Sequence, residues 1–214
     1  LFEWQGIPYR LFLLADLFTF AWFMGLMYSI KIFDGLDGLV SGISIIAGLV
    51  LYFLSIAINL PGVALIALIF VGAQFGFLLF NFNPATIFLG EAGALFSGFM
   101  LAVLAVLGSG KVATTFLVLG IPLLDMCWVV FRRIFIEKKS PAKGDRKHLH
   151  HRFLDAGFTQ KQAVLFMYLI SASFGISALF LQSMGKLIAI CVLVVCMALM
   201  GLLLFLRFKS IKKI

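Results

Sequence analysis

Charged side chains are scarce in this chain, with nine Asp and Glu and seventeen Lys and Arg among 214 residues, or 12% in all. Hydrophobic residues make up 63% and the mean hydropathy is +1.15, more apolar surface than one soluble core can absorb. That balance excludes an ordinary soluble enzyme and implies a polytopic membrane protein. Cysteine is rarer still. Cys127, Cys191 and Cys196 lie in apolar runs, where they read as small buried hydrophobes and give no disulfide framework. No internal repeat stands out, so an inverted-repeat transporter gains no support. The chain opens at Leu1 without Met or a signal-peptide pattern, and is expected to be an N-terminally truncated piece of a longer protein.

What charge there is sits in two places. The net charge of +8 gathers in the segment 132–162, which holds nine of the seventeen Lys and Arg, and at the C-terminus. Such clustering fits membrane orientation better than a nucleic-acid footprint, so no nucleic-acid partner is expected. All three histidines stand in the same segment, in the run Asp145-Arg146-Lys147-His148-Leu149-His150-His151-Arg152. So many cations and imidazoles repel one another once protonated, an arrangement that suits a polyanion. A zinc site would want more separated ligands or a neighbouring Cys. A solvated basic connector remains the plainer account of the surrounding Lys and Arg.

Apolar runs near the roughly 20 residues needed to cross hydrocarbon occur at 11–33, 39–58, 62–80, 92–107, 112–131, 163–183 and 187–208. The expected fold is therefore all-α, a transmembrane bundle of about seven spans forming one domain over 1–214, with 132–162 as a basic histidine loop. The positive-inside rule puts that loop and the C-terminal tail in the cytoplasm. Counting back through the spans then brings 34–38 and 81–93 to the same face.

Both of those loops carry candidate chemistry. Asp34-Gly35-Leu36-Asp37-Gly38 places two carboxylates three apart, with a glycine after each. The turn lets both acids lean toward one point and lets the backbone approach a ligand. The plainer account makes Asp37 the N-cap of the next helix. In Asn81-Phe82-Asn83-Pro84-Ala85-Thr86-Ile87-Phe88-Leu89-Gly90-Glu91-Ala92-Gly93, Glu91 sits where the next span begins. A helix dipole alone explains a carboxylate there, and a Mg²⁺ ligand is the functional alternative. Phe88 is membrane-facing filler or a face on which a base stacks. Asp16 and Asp125 lie within spans, where carboxylates pair inside the bundle or serve function, and both rank below the loop residues. Residue chemistry thus reaches a membrane-embedded site for a phosphate-bearing ligand, and does not separate an enzyme from a carrier of anionic solutes.

The runs Asp34 to Leu39, Asn81 to Gly93, Pro122-Leu123-Leu124-Asp125 and Asp145 to Arg152 resemble, in order and spacing, the signatures of the polyprenyl-phosphate N-acetylhexosamine-1-phosphate transferases. The two spans after the histidine loop look more like the branch using UDP-GlcNAc than the phospho-MurNAc-pentapeptide branch. The resemblance implies transfer of a hexosamine 1-phosphate from a UDP-N-acetylhexosamine to undecaprenyl or another polyprenyl phosphate, releasing UMP. It implies Asp34, Asp37, His148, His150 and His151 as catalytic residues. Lys31, Gly35, Leu36, Asn81, Phe88 and Arg152 would bind substrate, with Asn81 and Phe88 on the uridine. Glu91 would take the Mg²⁺ position, with Mn²⁺ as the alternative ion. A homodimer is compatible with this reading. The sequence departs from the family pattern at Lys31, Glu91 and Ala94, which stand where Asn, Asp and Ser are usual. Lys31 is expected either to donate toward phosphate or to pair with Asp34. These departures keep open a diverged, inactive relative that still binds nucleotide or lipid.

Overall fold

The computed structural model describes residues 2–4, 7–9, 12–108, 112–138 and 148–211. The expected Asp145, Arg146 and Lys147 of the histidine run, and Lys111, lie outside them. A short antiparallel hairpin, β1 (Phe2–Trp4) and β2 (Ile7–Tyr9), pairs Phe2 with Tyr9. The described elements after it are helices: α1 (Phe12–Phe33), α2 (Leu39–Ala57), α3 (Pro61–Asn81), α4 (Gly90–Leu107), α5 (Val112–Val118), α6 (Gly120–Phe131), α7 (Leu149–Asp155), α8 (Gln160–Phe180) and α9 (Ser183–Ile211). The expected all-α transmembrane bundle holds, with the hairpin as an addition.

Among the described residues six helices are long and apolar enough to cross a membrane, and a bent pair, if it is one span, brings the number to seven. That pair corrects the expectation of one continuous span over 112–131. The helix breaks between Val118 and Gly120, and α5 meets α6 at 83°. Pro122 supplies the reason. In an unbroken helix its ring would clash with the carbonyl of Val118 and it has no N–H to donate. Near the start of a new helix that N–H would be unpaired in any case. The C-terminal half then runs past Phe131 into a π-helical turn, Arg132–Ile136.

The segment 132–162 is likewise not one open loop. Its first residues extend α6, Leu149–Asp155 forms α7, and α8 starts at Gln160. Thr159 opens α8 with a capping box: its hydroxyl accepts from the Gln162 N–H at 3.3 Å, and the Gln162 side chain accepts from the Thr159 N–H at 3.0 Å.

Burial fixes the layout. In α2, 67% of the spanning residues are buried, against 28% in α1 and α3 and 11% in α9, so α2 is the central helix. It packs against α3 and α8, while α1 packs on α4 and α6. Leu26, Ile30, Phe33, Leu39, Ile43, Leu101, Leu104 and Met167 join these helices in one core. The outer faces carry Leu65, Ile69, Leu79, Phe180 and Ile188, as lipid contact requires. Cys127, Cys191 and Cys196 are also on outer faces, which corrects the expectation that they are buried. A thiol is apolar enough to face lipid, so an apolar run does not say which side of the helix is inside.

Candidate active site

The turn between α1 and α2 is built by its backbone and held from outside. Gly38 precedes α2 with φ of +78°, a conformation that strains residues bearing Cβ. Its N–H donates to Asn81 Oδ1 at 3.0 Å, and the Ser41 hydroxyl donates to the same oxygen at 3.0 Å. Asn81 Nδ2 in turn donates to the Ile87 carbonyl at 2.9 Å. The buried Asn81 therefore clamps the turn, the start of α2 and the following loop together. Both acceptor positions of its oxygen are used, so what the structure shows is a clamp rather than a uridine contact. From the other side, the Tyr168 hydroxyl of α8 donates to the Gly38 carbonyl.

Asp37 does not cap α2, where no side chain caps the helix. Its Oδ2 accepts from Asn83 Nδ2 at 2.9 Å and from the Ala85 N–H at 3.2 Å. The same Asn83 amide reaches Gln160 Oε1 at 2.9 Å. Asp37 thus joins the two loops, and Asn83, which sequence reading passed over, carries the link on to α8. Leu36 is buried in the core, so its side chain packs there.

The histidines close over this turn. His150 is 1% exposed, meets Phe33 edge-on at 5.6 Å between ring centroids, and lies parallel to His148 at 5.7 Å. His151 is tilted against it at 4.2 Å. A Cβ on Gly35 would stand 2.3 Å from His150 Nε2, so glycine is the residue that lets the imidazole reach the turn backbone. Burial, then the neighbouring His151 and His148, lower the His150 pKa to about 3. His150 is therefore neutral at physiological pH and offers phosphate no charge. Burial raises the Asp34 carboxyl to about 6.

His148 is anchored by Asp125. Its Nδ1 lies 2.9 Å from Asp125 Oδ2, and Asp125 Oδ1 accepts the Leu149 N–H at 2.9 Å. A carboxylate from within α6 thereby joins the histidine helix at the turn end of the bundle. Sequence reading ranked it low, although the Pro122-Leu123-Leu124-Asp125 run was its signal.

Lys31 and Glu91 form an ion pair, Nζ to Oε1, so Lys31 does not quench Asp34. Mg²⁺ needs oxygen ligands in near-octahedral array. Among the described residues no group of three His, Cys, Asp or Glu side chains is arranged to hold a metal, and the Glu91 carboxylate already has an ammonium partner. Glu91 would hold such an ion only by giving up Lys31, with substrate phosphates supplying further oxygens. Phe88 is 74% exposed in the loop before α4. Arg152 lines a cavity of about 610 Å³ between α6, α7 and α9, whose other walls include Trp128, Phe131, Val194 and Met197.

Three segments far apart in sequence, 31–38, 81–91 and 148–152, therefore meet at one end of the helices. The fold and site define a multi-pass membrane protein with a polar centre at one end of its helices. Residues 2–109 match the glycosyl transferase family 4, and the chain belongs to that family. It is 34% identical over 171 residues to the probable undecaprenyl-phosphate N-acetylglucosaminyl 1-phosphate transferase of Bacillus subtilis, covering 77% of this chain and 48% of the relative. It is 30% identical over 178 residues to the decaprenyl-phosphate N-acetylglucosaminephosphotransferase of Mycolicibacterium smegmatis, covering 72% and 44%. It is 33% identical over 153 residues to the phospho-N-acetylmuramoyl-pentapeptide-transferase of Listeria welshimeri, covering 70% and 46%. The chain spans about half the length of these curated relatives.

Proposed function

We propose that the protein transfers a hexosamine 1-phosphate, GlcNAc-1-phosphate in the first instance, from a UDP-sugar to a polyprenyl phosphate at the cytoplasmic face of a bacterial inner membrane. Such a transfer is a first membrane step in making a cell-envelope glycan. The observation that carries the reading is the meeting of the Asp34–Gly38 turn, the Asn81–Glu91 loop and the His148–Arg152 segment at one end of the bundle. The names of the relatives point the same way.

In the reaction, an oxygen of the polyprenyl phosphate forms a bond to the sugar-bearing phosphorus. The bond from that phosphorus to the bridging oxygen breaks, and UMP leaves with that oxygen. Chemistry of this kind asks for positioning and charge neutralisation more than covalent help. Asp34, with a pKa of about 6, is matched to the second ionisation of a phosphate monoester and takes the acceptor's proton. Lys31 and Arg152 supply cations for phosphate oxygens, and the exposed Phe88 ring offers a stacking face to uracil. The apolar cavity beside Arg152 suits the isoprenoid chain of the acceptor, with its phosphate at the arginine end.

The test uses the protein with whatever its gene encodes on either side of these 214 residues. Incubated in detergent with UDP-GlcNAc and undecaprenyl phosphate, with and without Mg²⁺, it should release UMP and form a lipid diphosphate sugar. Failure with every UDP-N-acetylhexosamine overturns the reading. The Lys31–Glu91 pair favours a second one, a relative that binds nucleotide or lipid without turnover. That reading gains if Lys31→Asn with Glu91→Asp gives no turnover while UDP still binds.

A further inference from the structure

Asp125 sits inside the sequence of α6, yet both its oxygens are directed at the histidine segment. Oδ1 takes the Leu149 N–H at 2.9 Å, and Oδ2 lies 2.9 Å from His148 Nδ1. The carboxylate is 5% exposed and His148 is 7% exposed, so water does not compete well for either. A carboxylate accepts at both oxygens and donates at neither. The imidazole nitrogen facing it must then be the one that carries hydrogen, and the bond made at one ring nitrogen sets the state of the other.

We infer that Asp125 is a positioning residue that fixes His148 as its Nδ1–H tautomer, so that Nε2 keeps its lone pair and works as a hydrogen-bond acceptor. His148 lies parallel to His150, and His150 reaches the Gly35 backbone beside Asp34, so this choice of tautomer sets the hydrogen-bonding character of the histidine face of the proposed site. The assignment has a sharp consequence. An Asn at 125 still offers one oxygen to the Leu149 N–H, but turns its NH₂ toward His148. Nδ1 must then become the acceptor, and the hydrogen moves to Nε2. The shape of the site is kept while His148 changes from acceptor to donor.

The consequence for turnover rests on the transferase reading; the tautomer itself does not. With only three histidines in these 214 residues, ¹⁵N-histidine labelling of the protein in detergent, with His148→Gln to assign the signals, resolves each ring. The native protein at pH 8 should show His148 with a protonated Nδ1 and a lone-pair Nε2. Asp125→Asn should exchange the two, and Asp125→Glu should keep the native pattern. A native His148 protonated at Nε2, or a pattern unmoved by Asp125→Asn, overturns the inference, and the native spectrum decides even if a variant does not fold. Where UMP release is measurable, Asp125→Asn should lower kcat by about tenfold or more, roughly the worth of one hydrogen bond turned from acceptor to donor. KM for the UDP-sugar should hold, and Asp125→Glu should recover part of the loss. Absence of UMP release from the native protein speaks against the transferase reading alone.

Discussion

Lys31 and Glu91 show how a pair of side chains is weighed by its surroundings. Their side chains are 33% and 66% exposed, so the pair is screened by water and contributes little to stability. Its importance lies in where the charges sit, at the mouth of the proposed phosphate site. Lys31→Glu and Glu91→Lys should each lower UMP release about tenfold or more, roughly one charged contact's worth, while moving the melting temperature little. The double exchange should recover part of the activity, measured as a double-mutant cycle on both readouts.

Asp34 is set by burial in the opposite sense. Its folded pKa of about 6 lies above the ordinary value of 3.8, so the folded state binds the proton more tightly than the unfolded one. The carboxylate opposes folding above pH 6. That opposition is relieved as pH falls from 6 toward 3.8, so this residue adds stability on acidification. Activity that needs the ionised form falls over the same interval. Asp34→Asn should flatten its share of the thermal-stability profile between pH 4 and 7. A native-like slope in that variant would remove Asp34 as its source.

At the scale of elements, sequence showed which loops matter better than it showed what they do. Membrane-span parity and basic flanks placed 34–38, 81–93 and 148–152 together, because alternation of spans is fixed by length and hydropathy. The cross-links were hidden. Asp37 bonds Asn83 and Ala85, Asn81 bonds Gly38, and Asp125 bonds His148, pairings that depend on how helices rotate against one another. The break at Val118 was half visible in Pro122, and α7 was masked by its charge. Asn81 and Gly35 are the junctions whose loss should be felt most. Asn81→Leu leaves the Gly38 N–H and the Ile87 carbonyl without their partner and should cost about 2–4 kcal/mol, as buried unsatisfied groups do, read as denaturation in detergent. Gly35→Ala forces a methyl to within 2.3 Å of His150 Nε2. It should abolish UMP release while leaving helical circular dichroism intact.

For the whole molecule, the decisive question is which membrane face the site occupies, because a nucleotide sugar made in the cytoplasm reaches only one. The α1–α2 turn, the α3–α4 loop and the start of α8 lie at one end of the helices, while the α2–α3 and α8–α9 connections lie at the other. Arg132, Arg133 and Lys138, beyond α6, belong to the first end, and the proposed orientation, which follows the positive-inside rule, puts that end in the cytoplasm. Two positions report on the two faces with little disturbance. Gly62, in the first turn of α3, is exposed with nothing within 4 Å of where a Cβ would stand, and Asp155 closes α7 as an exposed residue. In a protein with Cys127, Cys191 and Cys196 replaced by Ala, Gly62→Cys should react with a membrane-impermeant maleimide on intact bacteria, and Asp155→Cys only after permeabilisation. The reverse pattern would put Asp34, the histidines and Arg152 outside the cell, out of reach of any cytoplasmic UDP-sugar. It would end the transferase reading whatever the geometry of the site.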